Sequence, residues 1–190
     1  EIIKLSSFSI QHNSFIGSIP ICIGNFEVLT KFRLNHNLLT GTIPESICNM
    51  TFLQHFNISI NHMNGIIPNC IGHSFEYLQT MEIFNNKISG TLPPSLCKLQ
   101  YLLDMQFYGN KITGTIPECY GTSFKAMDRM FLHDNKLHGR LPQIWSLPLL
   151  ESLILSNKRL KGKLPSSIFH QQGNQTITTS TNDNNNNNNV

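Results

Sequence analysis

The chain has 190 residues with 12 Gly, 9 Pro and one Trp, and charged residues make up 13% of it. So little charge with so many turn formers indicates short elements joined by tight turns. A formal net charge of +3, scattered along the chain, gives no footprint for nucleic acid, and the lack of any run of 18 apolar residues excludes a membrane-spanning helix within it. Neither a start methionine nor a signal peptide is visible, so the sequence reads as a processed or truncated piece.

In chain order the elements repeat. The stretch Leu29-x-x-Phe32-x-Leu34-x-x-Asn37-x-Leu39-x-Gly41-x-Ile43-Pro44 returns with the same residue types in the same places. Its asparagine recurs at Asn13, Asn37, Asn61, Asn86, Asn110 and Asn135, and its proline at Pro20, Pro44, Pro68, Pro93, Pro117, Pro142 and Pro165. Successive prolines lie 24, 24, 25, 24, 25 and 23 residues apart, a period that marks a solenoid. The alternating apolar residues predict one short strand per coil, with apolar side chains inward and the intervening ones facing solvent. Parallel stacking of these strands builds one concave sheet. Each repeated Asn is expected to turn inward where the chain bends and to satisfy open backbone groups, so that the stacked copies form a ladder. The glycine permits a tight or φ-positive turn, and the proline ends a second short strand before a convex segment too short for a stable helix.

The motif Asn-x-Leu-x-Gly-x-Ile-Pro resembles the plant-type leucine-rich repeat of receptor-like proteins, receptor kinases and polygalacturonase-inhibiting proteins. The likeness covers about 165 residues and implies an α/β solenoid: a right-handed superhelix with a concave parallel β-sheet and short 3₁₀ or irregular convex segments. Residues 1–170 form the expected solenoid of seven repeats, truncated and without visible caps, which leaves core exposed at its ends. Lys158 stands where the last ladder Asn belongs, with Asn157 one place early. Residues 171–190, rich in Thr, Ser and Asn, offer almost nothing to bury and are expected to be disordered.

Five cysteines alternate in position: Cys22, Cys70 and Cys119 lie two residues after a repeat proline, Cys48 and Cys97 four after one. A two-coil unit is therefore superimposed on the single repeat. Neighbouring coils stack about 4.8 Å apart, within the span of a disulfide. The alternating placement in the receptor-like proteins that the chain resembles implies the pairs Cys48–Cys70 and Cys97–Cys119, leaving Cys22 without a partner in the sequence. The disulfides, with sequons at Asn49, Asn57 and Asn174, suit a secreted protein or the extracellular face of the plasma membrane. Asn49 is expected on the exposed convex side, and Asn57 on the concave strand, where a glycan would obstruct the face.

No catalytic constellation recurs. His12 and His36 share a column, and His133 lies near Asp134 and Asp128, but no carboxylate pair, metal-ligand spacing or cofactor fingerprint appears, so we expect neither an enzyme nor a metal or cofactor site. A rigid concave sheet is suited to recognition instead. The column two places before the ladder Asn reads Gln11, Asn35, Ser59, Phe84, Tyr108, His133 and Ser156. Three consecutive rings among expected solvent-facing positions, flanked by Glu82 and Phe131 and then by Asp104 and Arg129, have the make-up of a binding hot spot. One place after the Asn, Lys87, Lys111, Lys136 and Arg159 form a basic stripe suited to an acidic protein or an acidic wall polysaccharide. The expected function is ligand or protein recognition, as the ligand-binding part of a plant receptor-like protein or receptor kinase, with a protein or peptide as ligand and a co-receptor as a further expected partner. A soluble inhibitor similar to polygalacturonase-inhibiting proteins is the rival. A structural or ice-binding solenoid is hinted at by the triplets Thr40-Gly-Thr42, Ser89-Gly-Thr91 and Thr113-Gly-Thr115, interrupted at Asn64 and His138.

Overall fold

A computed structural model describes residues 4–156, 159–162 and 176–178. Strands β1 (Ser7–Ser9), β3 (Lys31–Arg33), β5 (His55–Asn57), β6 (Thr80–Glu82), β7 (Asp104–Gln106), β9 (Arg129–Phe131), β12 (Ser152–Ile154) and β14 (Thr176–Thr178) form one eight-stranded parallel sheet in that order. On the flank, β2 (Ile16–Ser18) pairs with β4 (Leu38–Thr40), β8 (Thr113–Gly114) with β10 (Lys136–Leu137), and β11 (Gly139–Arg140) with β13 (Leu160–Lys161). Each coil of the leucine-rich repeat thus contributes one strand to the main sheet, as its period-two pattern requires.

Register is set by the apolar period. The middle residue of each main strand points inward, giving the buried row Phe32, Phe56, Met81, Met105, Met130 and Leu153, with Phe8 half-buried at its start. The rings of Phe32 and Phe56 stack with centroids 6.0 Å apart. A slip by one residue would turn this whole row to solvent.

The asparagine ladder is formed as the repeat requires. Asn86 Nδ2 donates to the carbonyls of Ile58, Ile83 and Phe84, and its Oδ1 accepts from the Met63 amide at 2.9 Å. Asn37, Asn61, Asn110 and Asn135 repeat this pattern one coil at a time, each accepting from an amide of the preceding coil. Asn13 bonds only within its own coil and is exposed. The residue before each of these Asn adopts a left-handed φ of 51–65°. His12, His36, Asn85, Gly109 and Asp134 suit that conformation, whereas the β-branched Ile60 at φ 53° is strained.

Convex segments are 3₁₀ turns, such as Ile21–Asn25 and Glu45–Asn49. The coil entered at Pro68 holds one extra residue, and there a single α-helical turn, α1 (Ile71–Ser74), replaces the 3₁₀ turn. The Ser74 and Phe75 amides reach four residues back, to Cys70 and Ile71. The other 25-residue coil shows the same widening where Ser123 bonds Cys119. The extra residue therefore widens the turn while the strands keep their register.

Cys48 is bridged to Cys70 and Cys97 to Cys119, each pair with Cα atoms 6.0 Å apart, and Cys22 is free and exposed. Non-reducing peptide mapping of secreted protein is expected to recover both bridges; recovery of Cys22–Cys48 instead would contradict the alternating register.

One stretch departs from the expected disorder: Thr176–Thr178 pairs with β12 through the register Ser152↔Thr176, its Thr-Ile-Thr alternation matching the strand pattern. The rest of the expected tail, Asn174, the boundary near residue 170 and the irregular position Lys158 lie outside the described residues.

Candidate functional site on the sheet face

The outward residues of the main strands make three parallel columns. The first carries Lys31, His55, Thr80, Asp104 and Arg129, and the second Arg33, Asn57, Glu82, Gln106 and Phe131. The third, just beyond the strand ends, holds Asn35, Ser59, Phe84, Tyr108 and His133.

In that third column three rings form one continuous stack. Phe84 lies on Tyr108 with centroids 4.5 Å apart and planes 10° from parallel, and Tyr108 lies on His133 at 4.5 Å and 7°. Phe131 meets His133 edge-on at 6.4 Å. Coil spacing dictates this, because side chains at the same position of adjacent coils stand about one strand separation apart. The expectation of fully solvent-facing rings needs correction: Phe84, Tyr108 and His133 are each half-buried, since each ring covers its neighbour's face.

Beside the rings the charges are tied together. Asp104 accepts from Arg129 at 2.9 Å and from Gln106 Nε2 at 2.8 Å. It is 4% exposed, against its expected place on an open surface, because these longer neighbours fold over the short Asp side chain. Glu82 Oε2 accepts from Asn57 Nδ2 at 2.8 Å. Burial, and then Asp104, raise the Glu82 carboxyl above its ordinary value, while Arg33 and Arg129 pull it back. Burial raises Asp104 too, opposed by the Gln106 bond and Arg129 and reinforced by Asp128. Burial lowers His133 from its ordinary 6.5, with Asp134 opposing. Tyr108 is raised by burial and then by Glu82. The face therefore concentrates aromatic rings, the half-buried Glu82 and the buried Asp104 within three adjacent coils.

The sequon at Asn57 is engaged in this network: its Oδ1 accepts from the Ser59 amide and from the Ser59 hydroxyl at 2.7 Å, and Ser59 is fully buried. Asn49 is exposed on the convex side. Lys87, Lys111, Lys136 and Arg159 are exposed along the flank, and no carboxylate among the described residues pairs with them. His12 and His36 stack at 4.2 Å on the outside of the first two coils. Among the described residues no group of three or more His, Cys, Asp or Glu could hold a metal, and no helix is long and apolar enough to cross a membrane.

One feature escaped the sequence reading. Val28, Phe52, Tyr77, Tyr101 and Leu149, each directly before the first apolar residue of its repeat, are exposed on another flank, with Phe52 and Tyr77 stacked at 6.2 Å. The signal was present as an apolar residue at a place where the core pattern needs none.

The Leucine Rich Repeat family matches residues 28–50 and 77–99. Among solved structures, the plant peptide hormone receptor RGFR1, in complex with RGF2, is 32% identical with a TM-score of 0.84, over 92% of this chain and 29% of the receptor chain. The Arabidopsis receptor kinase HAESA, in complex with the peptide hormone IDA and the co-receptor SERK1, is 27% identical with a TM-score of 0.82, over 91% of this chain and 28% of HAESA. A plant ice-binding protein is 27% identical with a TM-score of 0.79, over 90% of this chain and 55% of that one. None of the curated proteins matches the chain in sequence. The chain folds as a leucine-rich-repeat solenoid, with two of its coils matching the repeat family, and is similar to the ectodomains of plant peptide-hormone receptors. It spans less than a third of the length of these two receptor chains.

Proposed function

We propose that this solenoid is an extracellular recognition module, the ligand-binding part of a plant receptor-like protein or receptor kinase, and that it binds a peptide or protein through its sheet face. The observation that carries this reading is the stack of Phe84, Tyr108 and His133, with Phe131, Glu82, Asp104 and Arg129 around it. Rigid, part-exposed rings beside charges lose little entropy on binding and supply most of the energy of such interfaces. RGFR1 and HAESA, which the chain resembles, are seen with peptide hormones, and HAESA also with a co-receptor. The two bridges and the exposed Asn49 sequon suit the extracellular side. The flank of Lys87, Lys111, Lys136 and Arg159 is a secondary surface for an acidic partner, such as a wall polysaccharide.

The test is affinity capture of a partner from extracellular plant extract on the native chain, followed by titration of variants. Tyr108→Ala and Phe84→Ala are expected to weaken the captured partner at least about tenfold. Because each ring also packs on its neighbour, each substitution should cost only about 1 kcal/mol of stability, or roughly 3 °C in Tm. Unchanged affinity in both would remove the stack and direct attention to the basic flank.

An ice-binding role is the second reading, favoured by the ice-binding relative and by the partial array of Thr42, Thr91 and Thr115. Ile66 and Arg140 interrupt that array. Thermal hysteresis in the purified chain would support it.

A further inference from the structure

Asn49 and Asn57 open the two sequons within the described residues, and their side chains are in opposite states. Asn57 Nδ2 donates to Glu82, and its Oδ1 accepts from the buried Ser59. Asn49, at the end of its 3₁₀ turn, is exposed, as is Thr51, and its amide makes no hydrogen bond among the described residues. A Cβ on Gly24 of the preceding coil would stand 3.1 Å from Asn49 Nδ2, so the glycine keeps that nitrogen clear. Phe52 follows three residues later. One two-coil unit further on, Lys98 and Tyr101 occupy the same repeat positions as Asn49 and Phe52, and they line one groove with His73 and Glu76. Side chains at these two positions therefore share a surface. Phe52 is 51% exposed there and lies parallel to Tyr77 with centroids 6.2 Å apart, against 4.5 Å in the stack of the sheet face, so each ring covers less of its neighbour. Of Phe52, Tyr77 and Tyr101, Phe52 alone lacks a hydroxyl to hold water, and it stands in the coil that carries the sequon.

We infer that Asn49 carries an N-linked glycan whose first sugar packs on the Phe52 ring, so that the occupant of this exposed aromatic flank is the chain's own carbohydrate. This rests on the extracellular reading of the solenoid. In the transfer the Nδ2–C1 bond forms and an amide proton is lost, while the C1–O bond to a polyprenyl diphosphate donor breaks and that diphosphate leaves. One face of a pyranose ring presents C–H groups, which pack on an aromatic face by dispersion. An exposed apolar patch is thereby covered without a protein partner.

The test secretes the chain from plant cells as the native sequence, as Asn49→Gln, as Phe52→Thr and as the double variant. Mass mapping is expected to find sugar on the Asn49 peptide of the native and Phe52→Thr proteins, with the bridges Cys48–Cys70 and Cys97–Cys119 formed in all four. Losing the glycan should lower Tm by about 3 °C in the native background and by under about 1 °C in the Phe52→Thr background. Thr51→Ala, which removes the sequon and keeps Asn49, should match Asn49→Gln. Proton signals of the first N-acetylglucosamine should lie upfield in the native chain of their positions in Phe52→Thr, since a ring face shields protons above it. Phe52 is half exposed, so its substitution leaves the fold intact. A bare Asn49 in secreted, disulfide-bonded protein would overturn the glycan and leave the extracellular reading standing. A glycan whose removal costs the same with and without Phe52, or whose signals do not shift, would overturn its packing on the ring. Secreted protein with all five cysteines reduced would overturn the extracellular reading, and the inference with it.

Discussion

Replacing Asn86 by alanine is expected to lower the unfolding free energy by about 4 kcal/mol, because it leaves several buried backbone groups without partners at once. The side chain serves the Ile58 and Ile83 carbonyls at 3.0 and 3.2 Å and the Met63 amide at 2.9 Å. Left among buried apolar side chains, such unpaired backbone groups are costly. Asn13 is the internal control, since it stands at the same repeat position but is exposed and bonds only within its own coil. Its replacement by alanine should cost under about 1 kcal/mol. Urea unfolding of the two variants measures the difference, and equal losses would mean that the ladder does not couple the coils.

Gly72→Ala is expected to cost about 3 kcal/mol, a steric effect rather than a loss of bonding. A Cβ at Gly72 would fall on the carbonyl group of Ser95 in the next coil, where backbone meets backbone. That contact cannot open without drawing apart two coils whose main strands are hydrogen-bonded in register, Thr80↔Asp104 to Glu82↔Gln106. Gly17 makes the comparison: a Cβ there meets nothing within 4 Å, and only its φ of 90° resists substitution, at roughly 1 kcal/mol. A thermal melt that places Gly72→Ala level with Gly17→Ala would contradict the close approach.

These two positions also show what the sequence could and could not disclose. The ladder was legible because each Asn acts on the coil directly before it, so its role repeats with the period, and the bridges followed from the same adjacency. Gly72 was legible as part of the two-coil unit, since Gly72-His-Ser-Phe75 recurs as Gly121-Thr-Ser-Phe124, but not as a close approach of backbones. Gly24, Gly72 and Gly121 stand four residues after a repeat proline, alternating with Cys48 and Cys97 at that very place. The two-coil unit thus encodes a close backbone approach as well as a bridge. By contrast, the burial of Asp104 could not be read from its column. An outward position predicts exposure, and only the particular lengths of Arg129 and Gln106 cover it. The rings were placed in the right column, but their mutual cover depends on side-chain orientation, which a column does not specify. The α-turn at Ile71–Ser74 was announced only by a spacing of 25 instead of 24. Thr176–Thr178 was hidden because three alternating residues inside a polar, low-complexity stretch carry too weak a signal.

The central claim, that the ligand lies on the ring stack of the sheet face, is tested most directly by hydrogen exchange of the chain with and without its captured partner. New protection is expected in the backbone around β6, β7 and β9 and the turns that follow them, through Phe84, Tyr108 and His133. Protection confined to the flank of Lys87, Lys111 and Lys136, with those three strands unchanged, would contradict it.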